Sequence, residues 1–236
     1  MWNRKELKEK AKIAFKANYW KTVLAAIVVG AIGAGVGTAS YNGSGSNEAV
    51  AELNSLSQSD LLAVVIAVMT ALLFVIIVMS LVKIFLLNPL SVGCQKFFKE
   101  NASNPAELSE LGAGFKKNYG NVVLTIFLKD LFLVLWSLLF VIPALVKTYS
   151  YRMVEFISAD NPEMSATEVI TKSRDMMRGN KWKAFVLDLS FIGWLILTGI
   201  TAGILGIFYV YPYMYQTDAE LYLALKNAEA PAEVQE

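Results

Sequence analysis

Residues 61–87 read LLAVVIAVMTALLFVIIVMSLVKIFLL, and Lys83, close to the end, is the one charge among them. A helix needs roughly 20 mainly apolar residues to cross a hydrocarbon core about 30 Å thick. This run is long enough, and its lysine lies near enough to one end to snorkel toward water. The bias extends beyond that run. The chain is 56% hydrophobic and only 17% charged, where an ordinary soluble domain carries about a quarter of its residues as charges. Such an excess needs lipid to cover it.

Applying the same length rule to the other apolar stretches gives an all-α, polytopic transmembrane helical bundle of about six spans. Residues 22–39 form the first span and 61–87 the second. The stretch 122–157 is too long for one crossing and contains Pro143, so it divides near Ser137 into spans three and four. The stretch 182–222 is interrupted by Gly199, Gly203 and Gly206, with Pro212 beyond, and divides near Thr201 into spans five and six.

Cations set the orientation, because short loops rich in Lys and Arg stay in the cytoplasm. Arg4, Lys5, Lys8, Lys10, Lys12, Lys16 and Lys21 all precede Thr22, while 40–60 holds Glu48, Glu52 and Asp60 but no cation. Cations return as Lys96, Lys99, Lys116 and Lys117 after span two, and as Lys172, Arg174, Arg178, Lys181 and Lys183 after span four. A multi-pass protein of the cell membrane with both termini cytoplasmic is the expectation. The competing reading is a cleaved signal peptide ending in the small residues of TVLAAIVVGAIGAGVGTAS. The long basic start argues for retention: Leu7, Ala11, Ala14 and Phe15 fall on one face of an amphipathic helix, as suits a segment lying on an anionic leaflet.

An internal repeat organises the whole. FKANYWKTVL from Phe15 returns as FKKNYGNVVL from Phe115, and more loosely as MRGNKWKAFVL from Met177. Asn18, Asn118 and Asn180 thus precede the odd-numbered spans, with interfacial aromatics beside them. Even-numbered spans share a proline: Pro89, Pro143 and Pro212. The linkers ASNPAELSELGAGFKKN and ADNPEMSATEVITKSRDMMRGN also match, the second with an insertion. We therefore read 1–236 as one integral membrane domain made of three tandem helix-pair repeats with amphipathic cytoplasmic helices. Its parts are a basic N-terminal helix (1–21), unit one (22–117), unit two (118–181) and unit three with a short polar tail (182–236). In the second linker, Ser165 and Glu168 have capping-box spacing and Gly179 marks the helix end. Its face Val169, Ile170, Met176 and Met177 is expected to rest on lipid headgroups.

The segment ADNPEMSATEVITKSRDMMRGNKWKAFVLDLSFIGWLIL, with VYPYMYQTDAELY after it, resembles a Gram-positive bacterial membrane family known as domain of unknown function nine-seven-five. The likeness runs from ELKEKAK to PYMYQTDAELY and is most specific from GNKW to IGW. It implies a multi-pass membrane protein without an established biochemical activity. The glycine-dense first span and its Gly/Ser-rich loop depart from the family pattern.

Ionisable groups at membrane depth are costly, so each merits a functional reading. Lys129 and Asp130 are adjacent in VVLTIFLKDLFLVLW and point about 100° apart on a helix, so each is expected to find its partner on another span. Asp188, with Ser190 close by, lies about two turns inside span five. Lys129, Asp130, Asp188 and Ser190 form the candidate intramembrane polar site. As packing glue, Asp188 would pair with Lys129, with a tyrosine or with Arg152; as a coupling site, Asp188 and Asp130 would change protonation as access alternates. Asp218 and Glu220 are read at the inner interface, and Tyr149, Tyr151, Tyr209, Tyr211, Tyr213 and Tyr215 as an aromatic belt. The spacings Gly33/Gly37 and Gly199/Gly203 allow close helix contact. The candidate cytoplasmic surface is Lys172, Arg174, Arg178, Lys181 and Lys183.

With one Cys and no His, a disulfide framework, a Cys-based zinc site and the commonest general base are all excluded. No P-loop, nucleophile elbow or H-E-x-x-H occurs. The expected function is non-enzymatic, without cofactor or metal: an accessory or scaffold protein whose partners are membrane lipids and, as a second class, another membrane protein. A net charge of +1 gives no field directed at nucleic acid. The alternative is a small permease or lipid-handling transporter that uses the intramembrane Asp and Lys residues.

Overall fold

The computed structural model describes residues 2–34, 57–116 and 118–229. Among these the fold is all-α, with no strand. The elements are α1 (Arg4–Ala17), α2 (Tyr19–Ala34), α3 (Gln58–Val82), a π-turn (Lys83–Leu87), α4 (Asn88–Ser103), a 3-10 helix (Leu108–Phe115), α5 (Tyr119–Leu139), α6 (Val141–Ser150) and α7 (Val154–Asp160). They continue with α8 (Ala166–Met176), α9 (Lys181–Leu189), α10 (Ile192–Ile200), a second π-turn (Gly206–Val210) and α11 (Tyr211–Glu229). The acidic loop up to residue 56 and the end of the Gly33/Gly37 spacing lie outside the described residues.

Local chemistry sets these boundaries. Asn3 caps α1 by accepting from the Lys5 amide at 3.0 Å, and Ser165 and Glu168 form the expected capping box on α8. Gly179, at φ +76°, stops the chain after α8, as its position in the sequence suggests. The break between spans three and four falls at the extended Phe140 rather than at Ser137, and Pro143 sits in the first turn of α6, where its missing N–H costs no hydrogen bond. Span five is interrupted at Ser190 and Phe191, between α9 and α10.

Among the described residues three helical stretches are long and apolar enough to cross a membrane: Gln58–Ser103, Tyr119–Leu139 and Lys181–Ile200. The apolar part of α2 (Tyr19–Gly30) and the 10-residue α6 are shorter than a crossing. Helix α3 buries no residue at all. Its 25 residues extend about 37 Å and touch little besides the π-turn that follows.

The core lies where α4, α7 and α11 meet. Phe97, Phe98, Met153, Phe156, Leu221 and Tyr222 are all buried there, and the Phe156 and Tyr222 rings stack at 5.0 Å. Helix α1 closes this core. Its face Leu7, Ala11, Ala14 and Phe15 is buried, as the pattern requires, but against α11 and α4 rather than on a leaflet. Leu7 and Phe15 each contribute roughly 1.5–3 kcal/mol by this burial. The apolar face of α8 is likewise buried, with Val169 and Met177 at 0% exposure, and packs on α5 and α7 instead of lipid. The first linker forms the 3-10 helix and fits tightly on α4: a Cβ on Gly93 would strike the Leu111 carbonyl, and one on Gly114 the Pro89 carbonyl. Gly199, by contrast, faces open space, and Gly203 sits in a turn at φ +88°, so that spacing makes no helix contact.

The repeat is physical. In units one and three a π-turn immediately precedes the proline, and the residue before each proline donates its N–H five residues back: Asn88 to Lys83 and Tyr211 to Gly206. Proline also withholds the N–H that would meet the carbonyl four residues earlier. Those carbonyls, on Phe85 and Phe208, accept instead from the Tyr119 and Tyr19 hydroxyls at 2.5 and 3.0 Å. These two tyrosines are the equivalent residues of FKKNYG and FKANYW. Each Asn–Pro loop is held in a parallel way: Asn18 donates to the Ala106 carbonyl at 2.8 Å, and Asn121 to those of Pro162 and Met164 at 2.8 and 2.6 Å.

At the far end of α7, the buried Asp160 carboxylate accepts from Lys99, Lys226 and Tyr222. Burial alone would push its carboxyl up, but these three donors outweigh it and hold it below the ordinary 3.8. A carboxyl depressed by folding adds stability above its unfolded value and loses it as pH falls through the folded one. Asp160→Asn is therefore expected to lower stability by roughly 2–3 kcal/mol at neutral pH, with the gap closing below pH about 4. Thermal unfolding in detergent across pH measures this. Tyr119→Phe is expected to cost about 1 kcal/mol, and less in a Pro89→Ala background, where residue 89 regains its N–H.

Candidate functional site

Arg152 occupies the short turn between α6 and α7, and from there it reaches two other helices. Its two terminal nitrogens grip both oxygens of Asp188 on α9, each at 2.7 Å, and Nη2 also donates to Asp218 on α11 at 2.6 Å. The Tyr149 hydroxyl donates to Asp188 at 2.9 Å, and its ring lies 5.7 Å from the guanidinium. The fork of guanidinium donors suits this bidentate geometry, which a lysine could not supply.

A second set adjoins the first. Lys129 pairs with Glu155 at 2.6 Å and approaches Asp130 at 3.6 Å, while Asp130 is met by Lys83 at 2.7 Å. Adjacent on α5, Lys129 and Asp130 thus find partners on different segments. Gln95 donates to Glu155 at 3.4 Å, and its own carbonyl oxygen is buried without a donor among the described residues. Between the two sets lies a cavity of about 400 Å³, lined by Gln95, Lys129, Leu133, Leu145, Thr148, Tyr149, Tyr151, Arg152, Glu155 and Asp188. Lys129 and Asp188 face the same cavity without bonding each other.

Ser190 belongs elsewhere. Its hydroxyl donates to the Leu187 carbonyl and accepts from Lys8 on α1 at 3.2 Å, and the Lys8 ammonium lies 3.9 Å from the Phe191 ring centroid. The short spacing from Asp188 is misleading, because residues two apart on a helix point about 200° apart. The tyrosines also depart from a belt: Tyr149 and Tyr151 line the cavity, Tyr213 is buried, and Tyr215 packs on Phe98 at 5.5 Å. On the basic surface Arg178 pairs with Asp175 at 2.7 Å; Arg174 is exposed, and Lys172, Lys181 and Lys183 are half-buried.

Residues 139–229 match the family described as Protein of unknown function (DUF975). The matched DUF975 segment holds Arg152, Glu155, Asp188 and Asp218, whereas Lys83, Gln95, Lys129 and Asp130 precede it. It is shorter than the near-whole-chain likeness read from the sequence. No curated protein and no solved structure matches the chain.

Sequence reasoning named Arg152 as one partner for Asp188 but passed over Glu155, Lys83 and Gln95 and set Asp218 at the interface. A signal was present in the repeat. Matching QKFFKENASNP to RMVEFISADNP, and YSYR to YMYQ, puts Gln95, Arg152 and Gln216 at one repeat position. Each of the three bonds the next unit in turn: Gln95 to Glu155, Arg152 to Asp218, and Gln216 to the Phe98 carbonyl at 3.0 Å.

Removing the guanidinium leaves two carboxylates facing each other, so Arg152→Ala is expected to cost about 3–5 kcal/mol. Asp218→Asn, which leaves the bidentate pair with Asp188 intact, should cost less than half of that. Unfolding midpoints of the purified proteins compare the two.

Proposed function

We propose that this chain is a multi-pass protein of the cell membrane, with about six spans and both termini cytoplasmic. It acts without catalysis as an accessory or scaffold subunit that binds lipid or another membrane protein. One observation carries this reading: every ionisable group of the Arg152 and Lys129 clusters is engaged by a partner, and the pairs tie separate helices together. Ion pairs locked in this way fix a bundle, whereas alternating access would have to break them in each cycle. The bare apolar length of α3 supports lipid or protein contact along it.

One observation favours the second reading, a small permease or lipid-handling transporter. Two cations (Lys129, Arg152) and two carboxylates (Glu155, Asp188) line a cavity of about 400 Å³, which is within the range of small-molecule sites, and Lys83, Asp130 and Asp218 pair with groups of the same network behind them. The experiment is gentle extraction of tagged protein from its native membrane, followed by mass spectrometry of everything retained. A stoichiometric membrane protein or a defined lipid is the expected result. Movement of a solute by the purified protein alone in vesicles, abolished by Asp188→Asn, would overturn the scaffold reading in favour of transport.

A further inference from the structure

Glu220 on α11 is 7% exposed, yet no hydrogen bond or ion pair reaches its carboxylate among the described residues. It is two residues from Asp218 and therefore about 200° round the helix, turned away from Arg152. There it lines a separate cavity of about 500 Å³ between α1, the end of α4 and α11. A largely buried carboxylate that has no donor is poorly stabilised when ionised, and a proton or a cationic partner would stabilise it.

The walls specify which cation. Ile13, Ala17, Pro105 and Leu223 make the sides apolar, while Asn104 and Asn227 place exposed amides at the mouth. A bare metal ion is poorly served, since one carboxylate is no ligand set, and the described residues hold no group of three or more metal-binding side chains. A carboxylate in a cleft that offers both apolar side chains and amides suits an alkyl stem that ends in an ammonium. Lys10 is the one other ionisable residue among those lining the cavity, and it is taken by Glu6 at 2.8 Å in a pair that is more than half exposed. Such a pair is worth little, so Lys10 can swing inward and compete for Glu220. We propose that this cavity binds a primary alkylammonium group on Glu220, with Lys10 as an internal competitor. The group would come from a free small amine or from a lysine side chain of another protein.

The test uses the full chain in detergent at neutral pH and follows binding by calorimetry. The probes are 1,5-diaminopentane for a free amine, Nα-acetyl-lysine methylamide for a protein lysine, and 1,5-pentanediol as the uncharged control. One or both ammonium probes should bind and the diol should not; the tighter of the two identifies the source. Glu220→Gln should weaken binding about tenfold or more, and Lys10→Gln should strengthen it severalfold. Equal binding of the diol, or no binding of either amine, overturns the proposal, as does a Glu220→Gln protein that binds as well as the parent. Glu220→Gln should melt no lower than the parent, because it removes an uncompensated charge. If that variant fails to fold, Lys10→Gln decides alone, and an absent gain overturns the proposal.

Discussion

A guanidinium kept from water needs carboxylates placed by other parts of the chain, and Arg152 draws on two helices for them. With its side chain 16% exposed, it gathers Asp188 and Asp218, which lie 36 and 66 residues further along the sequence. The turn between α6 and α7, the break after Asp188 and the approach of α11 all serve that one meeting. The alternative, two carboxylates and an arginine each unpaired in a poorly hydrated place, is among the costliest arrangements a fold can contain. Its specificity exceeds its stabilising power. An apolar substitute of similar volume would fill the space without dictating which helix must arrive.

The prolines illustrate the same logic with neutral groups. Pro89 and Pro212 each disturb a helix in the same register, and the tyrosine hydroxyls from the starts of α5 and α2 repair the exposed carbonyl. In lipid no water is available to make that repair. Unit two differs. Its helix has already broken at Phe140, Pro143 lies in a first turn where nothing is lost, and Lys181 stands where the tyrosine would be. The tyrosine therefore occurs where a proline leaves a carbonyl unmet and is absent where Pro143 leaves none.

Much of this architecture is legible from composition and spacing. The apolar run 61–87, the face Leu7/Ala11/Ala14/Phe15, the Ser165/Glu168 cap and the stop at Gly179 each follow from local rules, and the structure has all of them. What covers an apolar face is not local: α1 and α8 have the pattern of membrane-surface helices, yet protein covers them, because α4, α5, α7 and α11 present matching surfaces that no periodicity reveals. The same limit applies to the polar site. Lys129, Asp130 and Asp188 stand out as charges in apolar runs, but Gln95 lies in a polar stretch and Glu155 close to the end of the run 122–157, and both gain meaning only when three units close on one another. Ser190 falls apart from Asp188 for a simpler reason: residues two apart on a helix point to opposite sides.

The ion pairs are distributed unevenly among the three units. Unit two meets unit one through Lys83–Asp130 and Lys99–Asp160, and unit three through Arg152–Asp188, Arg152–Asp218 and Lys226–Asp160. Among the described residues no ion pair joins units one and three, which meet through the amides of Asn101 and Gln216. The joint between units one and three is thus made by neutral groups, while unit two is attached to both by charge. A change in protonation or local ionic strength acts on both edges of unit two and leaves the joint between the other two units untouched.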